Sequence, residues 1–469
     1  MSVDTFLLIR LVRSGWVLVL LLALGGCSMT SQVQPWEKAH LAQPEMQMEP
    51  DVSASRWMEH IYFSREAVSG ANGLGGRRLR MQLKDEPVAD PPVLISQGWL
   101  AGVAAAVAMA LPQAADAQGL QAPTQAEISW RWMDYREHQD DQDRMRVMAR
   151  SAHLRSPLGE QWSVDAYAVV DAISGASPYY YATPSAFVEV KDKRRAADVR
   201  LSHHQSRERW TFGASRSNEA DYDSEALMLQ WSVADELQNL VFDIGVSATR
   251  DRINPVNKKV FGQRKRVDEA LVGLTWVVSP VDLVQMQMTR SLGRGYYSDP
   301  YKFLDERPGG RRVTGYQIKW NHHQADKATW RTGLRHLRDD WGVRTWGMQL
   351  ERASRMGAWR LTPGVRYHVQ SAAYFFQPPD PLVPDVPNFP ANFVWGRSLS
   401  SFDQRLSGFG AVTGSLKVDY LVSAKAEIHL RVDHYRQRSV WAGPFQGTAA
   451  IPDFSANTVQ LGWTYRFGN

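Results

Sequence analysis

From Ala126 to Phe467 the chain repeatedly alternates apolar and polar residues, over stretches of about ten residues, the length of a membrane-crossing strand. The last stretch is clearest: Val459, Leu461, Trp463, Tyr465 and Phe467 share one face, and Thr458, Gln460, Gly462, Thr464 and Arg466 share the other. Leu240, Phe242, Ile244 and Val246 oppose Asp243, Gly245 and Ser247 in the same way, and Ile428, Leu430 and Val432 oppose His429, Arg431 and Asp433. A period of two is that of a β-strand, whose successive side chains point to opposite faces. In a soluble sandwich the polar set would face a core, at a cost. With lipid on one side and a polar lumen on the other, both sets are satisfied.

Connection lengths support the same reading. Short turns are predicted near 157–161, 206–208, 234–237, 279–282, 322–327, 354–358 and 421–425, and longer connections near 137–143, 174–195, 216–224, 252–265, 293–312, 338–341, 371–402 and 437–455. Apart from 338–341, short and long alternate, as in barrels with short periplasmic turns and long external loops. The expected fold is all-β: a transmembrane antiparallel up-and-down barrel of about sixteen strands with both ends periplasmic, behind a largely disordered N-terminal extension. Trp162, Trp276, Trp320, Trp359 and Trp463 lie near strand ends, where aromatic girdles mark the two membrane interfaces.

Composition narrows the function classes. The 18 Trp, 16 Tyr and 16 Phe are many, and a mean hydropathy of -0.38 excludes a helical membrane protein. The net charge of +5 is spread along the chain, so nucleic-acid binding is not implied. With Cys27 as the only cysteine there is no intrachain disulfide and no CxxC pair, and the sequence calls for no cofactor.

Residues 1–27 read as a signal: Arg10 and Arg13, an apolar run from Trp16 to Leu24, then Gly25-Gly26-Cys27. Leu24-Gly-Gly-Cys27 resembles a lipoprotein box, which makes Cys27 the expected lipidation site. A second signal-like segment occupies 77–117, with Arg77, Arg78, Arg80 and Lys84 before an apolar run ending at Leu111, and Ala115-Asp-Ala117 as the expected cleavage site, after Ala117. That run is too short for a spanning helix, which needs about 20 residues. Two export signals in one chain point to two originally separate products joined together. Residues 118–125 then form a linker and 126–469 the barrel.

Between the signals, residues 28–76 are Pro-, Gln- and Glu-rich and then Gly-rich, too short and polar to bury a core of their own. Through Pro35-Trp-Glu-Lys-Ala-His40 and His60-Ile-Tyr-Phe-Ser64 this stretch resembles a family of very small bacterial lipoproteins, domain of unknown function 4266. Members of that family end in a glycine run holding cysteines; here Arg77-Arg78 stands in its place. The stretches Asp171-Ala-Ile-Ser-Gly-Ala-Ser-Pro-Tyr179, Asp251-Arg-Ile-Asn-Pro-Val-Asn257, Arg294-Gly-Tyr-Tyr-Ser-Asp-Pro-Tyr301, Trp320-Asn-His-His323 and Asp403-Gln-Arg-Leu-Ser-Gly-Phe409 resemble domain of unknown function 3570. That resemblance implies an outer-membrane barrel of uncharacterised activity.

Asp171, Asp251, Arg252, Arg294, Tyr296, Tyr297 and Asp299 sit where strands run into predicted external loops. They are expected either to shape those loops or to gather as a binding or constriction zone at the pore mouth. His203-His204 and His322-His323 fall near predicted turns, but adjacent strand residues face opposite ways, so at most one of each pair reaches the lumen, and no metal site is expected. No GxSxG or HExxH motif is present, and no catalytic residue is singled out. The leading expectation is a channel or transporter for small polar solutes in the cell outer membrane. Its expected partners are membrane lipid, the barrel assembly machinery that reads the terminal aromatic strand, and a small solute or small lipoprotein. A non-conducting scaffold that receives a small lipoprotein, or an outer-membrane hydrolase, are the alternatives.

Overall fold

Sixteen antiparallel strands close on themselves in a computed structural model that describes residues 33–63, 65–66, 120–139, 142–175, 190–255, 258–300, 304–380, 382 and 388–468. In chain order they are β1 (Ala126–Gln139), β2 (Gln142–Leu158), β3 (Trp162–Gly175), β4 (Val190–His204), β5 (Glu208–Asn218), β6 (Tyr222–Ala234), β7 (Leu240–Ile253) and β8 (Gln263–Ser279). There follow β9 (Asp282–Gly295), β10 (Gly310–His323), β11 (Ala328–Asp339), β12 (Arg344–Met356), β13 (Trp359–Gln370), β14 (Phe409–Ser423), β15 (Ala426–Arg438) and β16 (Phe454–Phe467). Each strand pairs with its chain neighbours, and β1 closes on β16 with Ala126 opposite Phe467. Closure leaves no strand edge, so every strand finds ladder partners on both sides, as a hydrocarbon environment requires.

Every predicted short turn joins two consecutive strands at one rim, hereafter the turn end, and the predicted longer connections lie at the other, the loop end. Ala126 and Phe467 both lie at the turn end. The faces fall as the alternation requires. On β16, Leu461 is 44% exposed on the outer surface, whereas Thr458 is 3% exposed towards the lumen.

Two features differ from the sequence expectations. The five tryptophans Trp162, Trp276, Trp320, Trp359 and Trp463 all lie in the turn-end part of their strands, so they form one girdle, not two. At the loop end, outward aromatics gather on β10, β12 and β13 as Tyr316, Trp346 and Tyr367. The lumen is also not polar throughout. Met133, Tyr135, Met145, Val147, Ala149, Tyr167 and Val169 point inward and are buried in one cluster. On β2 the usual pattern is inverted, with Arg146 and Arg150 exposed on the outer face while Met145, Val147 and Ala149 turn in.

What those apolar residues cover is the N-terminal segment. Residues 33–63 and 65–66 lie inside the barrel, with single helical turns at Pro35–Glu37 and Pro44–Met46 and a helix α1 at Val52–Phe63. Polar and short, the segment has too little apolar surface for an independent core, and it completes one by borrowing the barrel wall. Trp57, Met58 and Ile61 occupy one side of α1 at helical spacing and pack into the cluster from β1 to β4 and β14 to β16. Lower down, Val33, Leu41, Met46 and Met48 pack on Val277 and Leu283 beside the β8–β9 turn.

Candidate functional site

The occupied lumen is the most elaborate polar site of the molecule. The segment begins at the turn end, where Asn239 donates to the Val33 carbonyl at 3.0 Å and Lys38 donates to the carbonyls of Leu237 and Gln238. His40 stacks on His323, and Asn321 donates to the Met46 and Gln47 carbonyls. From there the chain climbs through a series of charge contacts.

Glu45 accepts from Arg355 at 2.7 Å and from Arg360 at 3.4 Å. Asp51 serves two ends at once. One oxygen caps α1 by accepting from the Ala54 amide at 3.0 Å, and the carboxylate pairs with Arg131 at 2.7 Å and Lys417 at 2.8 Å. One turn on, Arg56 lies 3.3 Å from Asp198 and 3.4 Å from Asp165, over the ring of Tyr167, whose hydroxyl accepts from the Trp57 indole at 2.6 Å. After the helix, Arg65 sits over the rings of Tyr135 and Tyr435, and Glu66 takes both amines of Arg366, with His368 at 3.4 Å.

Buried charges are tolerated when paired, and the proton equilibria of the segment reflect that pairing. Burial pushes the Asp51 carboxyl up, but Arg131 and Lys417 outweigh it and hold the group well below the ordinary carboxylate range. Burial likewise works against ionisation of Glu66, and Arg366 and His368 reverse it. Arg56 is discharged less readily than a free guanidinium: burial opposes its charge, and Asp198 and Asp165 more than restore it.

Asp419, Glu427 and His429 form the one group among the described residues with ligand atoms near enough for a metal ion. Side-chain cations already hold its acids. Arg360 bonds Asp419 at 2.9 Å and also Glu427, Lys417 pairs with Asp419 at 3.0 Å, and His429 spends its two nitrogens on Asp419 and Thr464. The paired histidines separate as strand geometry dictates. His204 faces in, bonded to Ser163 and the Leu120 carbonyl, while His203 lies against Trp162. His323 faces in and His322 bonds Asp282.

The residues predicted for the mouth are divided among four places. Asp171 is buried against Arg194 at 2.6 Å. Asp251 receives Ser224 at 2.6 Å, Lys265 at 2.9 Å and the Tyr222 hydroxyl, and Tyr297 lies over Lys265; Tyr296 packs on Tyr222 and Ile253 close by. Asp299 is buried, its amide donating to Asp305, whose carboxylate accepts from Nε and one Nη of Arg307. Arg252 and Arg294 point outward and are exposed, away from the mouth. Cys27 and Ala117 lie outside the described residues.

A canopy of loops covers the loop end. Arg307, between β9 and β10, reaches Asp403, between β13 and β14, at 2.9 Å, and Glu306 bridges to Ser400. Beneath, Trp341, Val343, Phe375, Phe376, Leu406 and Ile451 form a small core. In β14, Gly410 is needed because a Cβ there would meet the Trp441 carbonyl oxygen at 1.9 Å. The loop between β13 and β14 carries the Pro-rich stretch 378–387, of which residues 381 and 383–387 lie outside the described residues.

Sequence reasoning missed the lumen site. The available signal was in 51–63: Asp51 before a run with Trp57, Met58, Ile61 and Tyr62 at i, i+1, i+4, i+5, a capped amphipathic helix.

Among solved structures the chain is similar to a "Bacterial polysaccharide outer membrane secretin", at 7% identity over 74% of this chain and 99% of that one, TM-score 0.42. It is similar to OccK1 (OpdK) of Pseudomonas aeruginosa at 8% identity, over 73% and 98%, TM-score 0.38. It is also similar to a mutant of the ferric enterobactin receptor PfeA of Pseudomonas aeruginosa at 14% identity, TM-score 0.37, covering 68% of this chain and 54% of the receptor. No curated protein matches. Residues 33–77, which include the lumen segment, match the family described as "Domain of unknown function (DUF4266)". Residues 100–190 and 258–465, more than half of the sequence, match "Protein of unknown function (DUF3570)", and the chain belongs to that family.

Proposed function

We propose that the protein is an outer-membrane conduit for small polar solutes whose passage is controlled by residues 33–66 acting as a plug. The observation that carries this reading is the set of three plug carboxylates on barrel cations at successive heights: Glu45 on Arg355 and Arg360, Asp51 on Arg131 and Lys417, Glu66 on Arg366. A plug held largely by paired charges is removable, because the barrel cations it leaves are groups that water or an anionic solute can satisfy. When the plug moves, a line of cations is left along the wall, suited to a solute carrying carboxylate or phosphate.

The geometry also suits the lipidation reading. Val33 sits at the turn end, six residues after Cys27, a reach of about 20 Å, so a lipid on Cys27 would enter the leaflet at that rim.

Planar-bilayer recordings on the full chain and on the chain from Gln118 test the reading. Discrete conductance steps are expected from the shorter chain, with the full chain closed for most of the record. A shorter chain that shows heat-modifiable migration, and so is folded, yet stays silent would overturn it. The second reading, a non-conducting scaffold for a small lipoprotein, is favoured by the apolar seat of α1, and a silent folded barrel that rebinds a 33–66 peptide would support it.

A further inference from the structure

The outer face of β7, β8 and β9 changes character along its length. On β7 it runs Leu240, Phe242, Ile244, Val246, Ala248 and then Arg250, Arg252. The apolar part rises about 20 Å, at ~3.4 Å per residue and a tilt near 40°, close to the apolar band of about 25 Å that such barrels present. The arginines therefore start where hydrocarbon gives way to headgroups. The neighbours repeat the pattern: Trp276, Leu274, Val272 and Ala270 precede Asp268, Arg266 and Arg264 on β8, and Val284, Met286 and Met288 precede Arg290, Leu292 and Arg294 on β9.

The register lines these charges up. Arg250 stands directly opposite Arg266, and Arg266 directly opposite Arg294, so three outward arginines form one row across three strands; Arg252 opposes Arg264 beside them. Like charges directly opposite one another destabilise a sheet. Local acids are fewer. Asp268 pairs with Arg266 at 2.8 Å, and on β6 Glu225 stands opposite Arg250 and Asp223 opposite Arg252, Glu225 also lying 3.9 Å from Arg216 and Asp223 bonding Asn218. The turn end of the same three strands presents Leu240, Trp276 and Val284 and no such charge.

We propose that this row is a binding site for a lipid whose headgroup carries a phosphate monoester and net negative charge, held against the barrel wall in the loop-end leaflet. The site is independent of the plug and of conduction. A phosphate over the row is shared among the guanidiniums of Arg250, Arg266 and Arg294, whose planar forks suit phosphate, with Asp268 the competing partner at Arg266, while the acyl chains lie on the apolar column below. A free anion would take the same forks but gain nothing from that column.

The test titrates the full chain, refolded in a neutral detergent, with bis-phosphorylated lipid A, with phosphatidylcholine and with inorganic phosphate, counting bound molecules by native mass spectrometry. Substituting Arg250→Gln, Arg266→Gln and Arg294→Gln together is expected to weaken lipid A binding about a hundredfold, with phosphatidylcholine binding and a Lys425→Gln control at the turn end unchanged. Should the triple variant fail to refold, Arg266→Gln alone, at the centre of the row, is expected to lose about fivefold. Unchanged lipid A affinity in these variants would overturn the site, and inorganic phosphate binding as tightly as lipid A would overturn its assignment to a lipid.

Discussion

Glu66 of the plug accepts from both amines of Arg366 on β13, at 2.6 and 2.7 Å, across a sequence separation of 300 residues. The pair joins the portion of the chain that matches one family to the barrel that matches the other, with Glu66 buried and Arg366 largely covered. A bidentate guanidinium–carboxylate contact fixes direction as well as distance. It therefore specifies where α1 ends in the lumen.

Reversing that contact should unseat the upper plug. Arg366→Glu sets two carboxylates against each other, and single-channel recordings of the full chain are expected to show long openings that the parent lacks. Adding Glu66→Arg should restore closure. Openings that persist in the double variant would mean the effect came from the wall alone.

Arg56 pairs with Asp198 and Asp165 in a buried setting. Removing one partner of such a pair costs about 3–5 kcal/mol, while replacing the set with apolar groups is nearly neutral. Arg56→Ala should lower the thermal stability of the full chain in detergent by an amount absent from the chain beginning at Gln118. Arg56→Met with Asp198→Asn should recover most of it, and equal losses in both chain lengths would argue against a plug contact.

Acid should release the plug. Burial raises the Glu45, Asp51 and Glu66 carboxyls; Arg360 and Arg355 beside Glu45, Arg131 and Lys417 beside Asp51, and Arg366 beside Glu66 pull them below their ordinary values. A depressed folded-state value means the seating energy is complete above the ordinary carboxylate range, near pH 4, and is lost as pH falls through the depressed values. Conductance of the full chain is expected to rise below about pH 4, with no comparable rise for the shorter chain.

The Ser53 and Ser129 hydroxyl oxygens lie 3.5 Å apart, one on α1 and one on β1. Cysteines at both positions, with Cys27→Ser, should form a disulfide, whose Cβ atoms need about 3.5–4.5 Å. The oxidised protein should stay closed at acid pH and open on reduction. Free thiols after oxidation of a folded sample would contradict the seating of α1.

Between the long loops, Arg307 ties Asp305 to Asp403, and the two acids raise its affinity for the proton despite burial. Arg307→Ala leaves Asp305 buried without its cation and cuts the tie to Asp403, which keeps Arg405. Limited proteolysis is expected to cut between residues 371 and 402 in the variant under conditions that spare the parent.

The sequence by itself determined the sixteen strands, their turns and which side chains meet lipid, because a period of two and a turn are local properties that no distant contact needs to complete. The lumen-facing positions of Thr458, Gln460 and Asp243 followed from that parity. Tertiary structure alone decided what fills the lumen. Glu45, Asp51, Arg56 and Glu66 read as ordinary solvated charges in a polar stretch, and only closure of the barrel places Arg360, Arg131, Asp198 and Arg366 opposite them. The same holds for the mouth. Asp171, Asp251 and Asp299 share loop-rich surroundings in sequence, yet separate strands and partners hold them apart, since pairing across a closed sheet depends on register and distance, which a one-dimensional pattern does not contain.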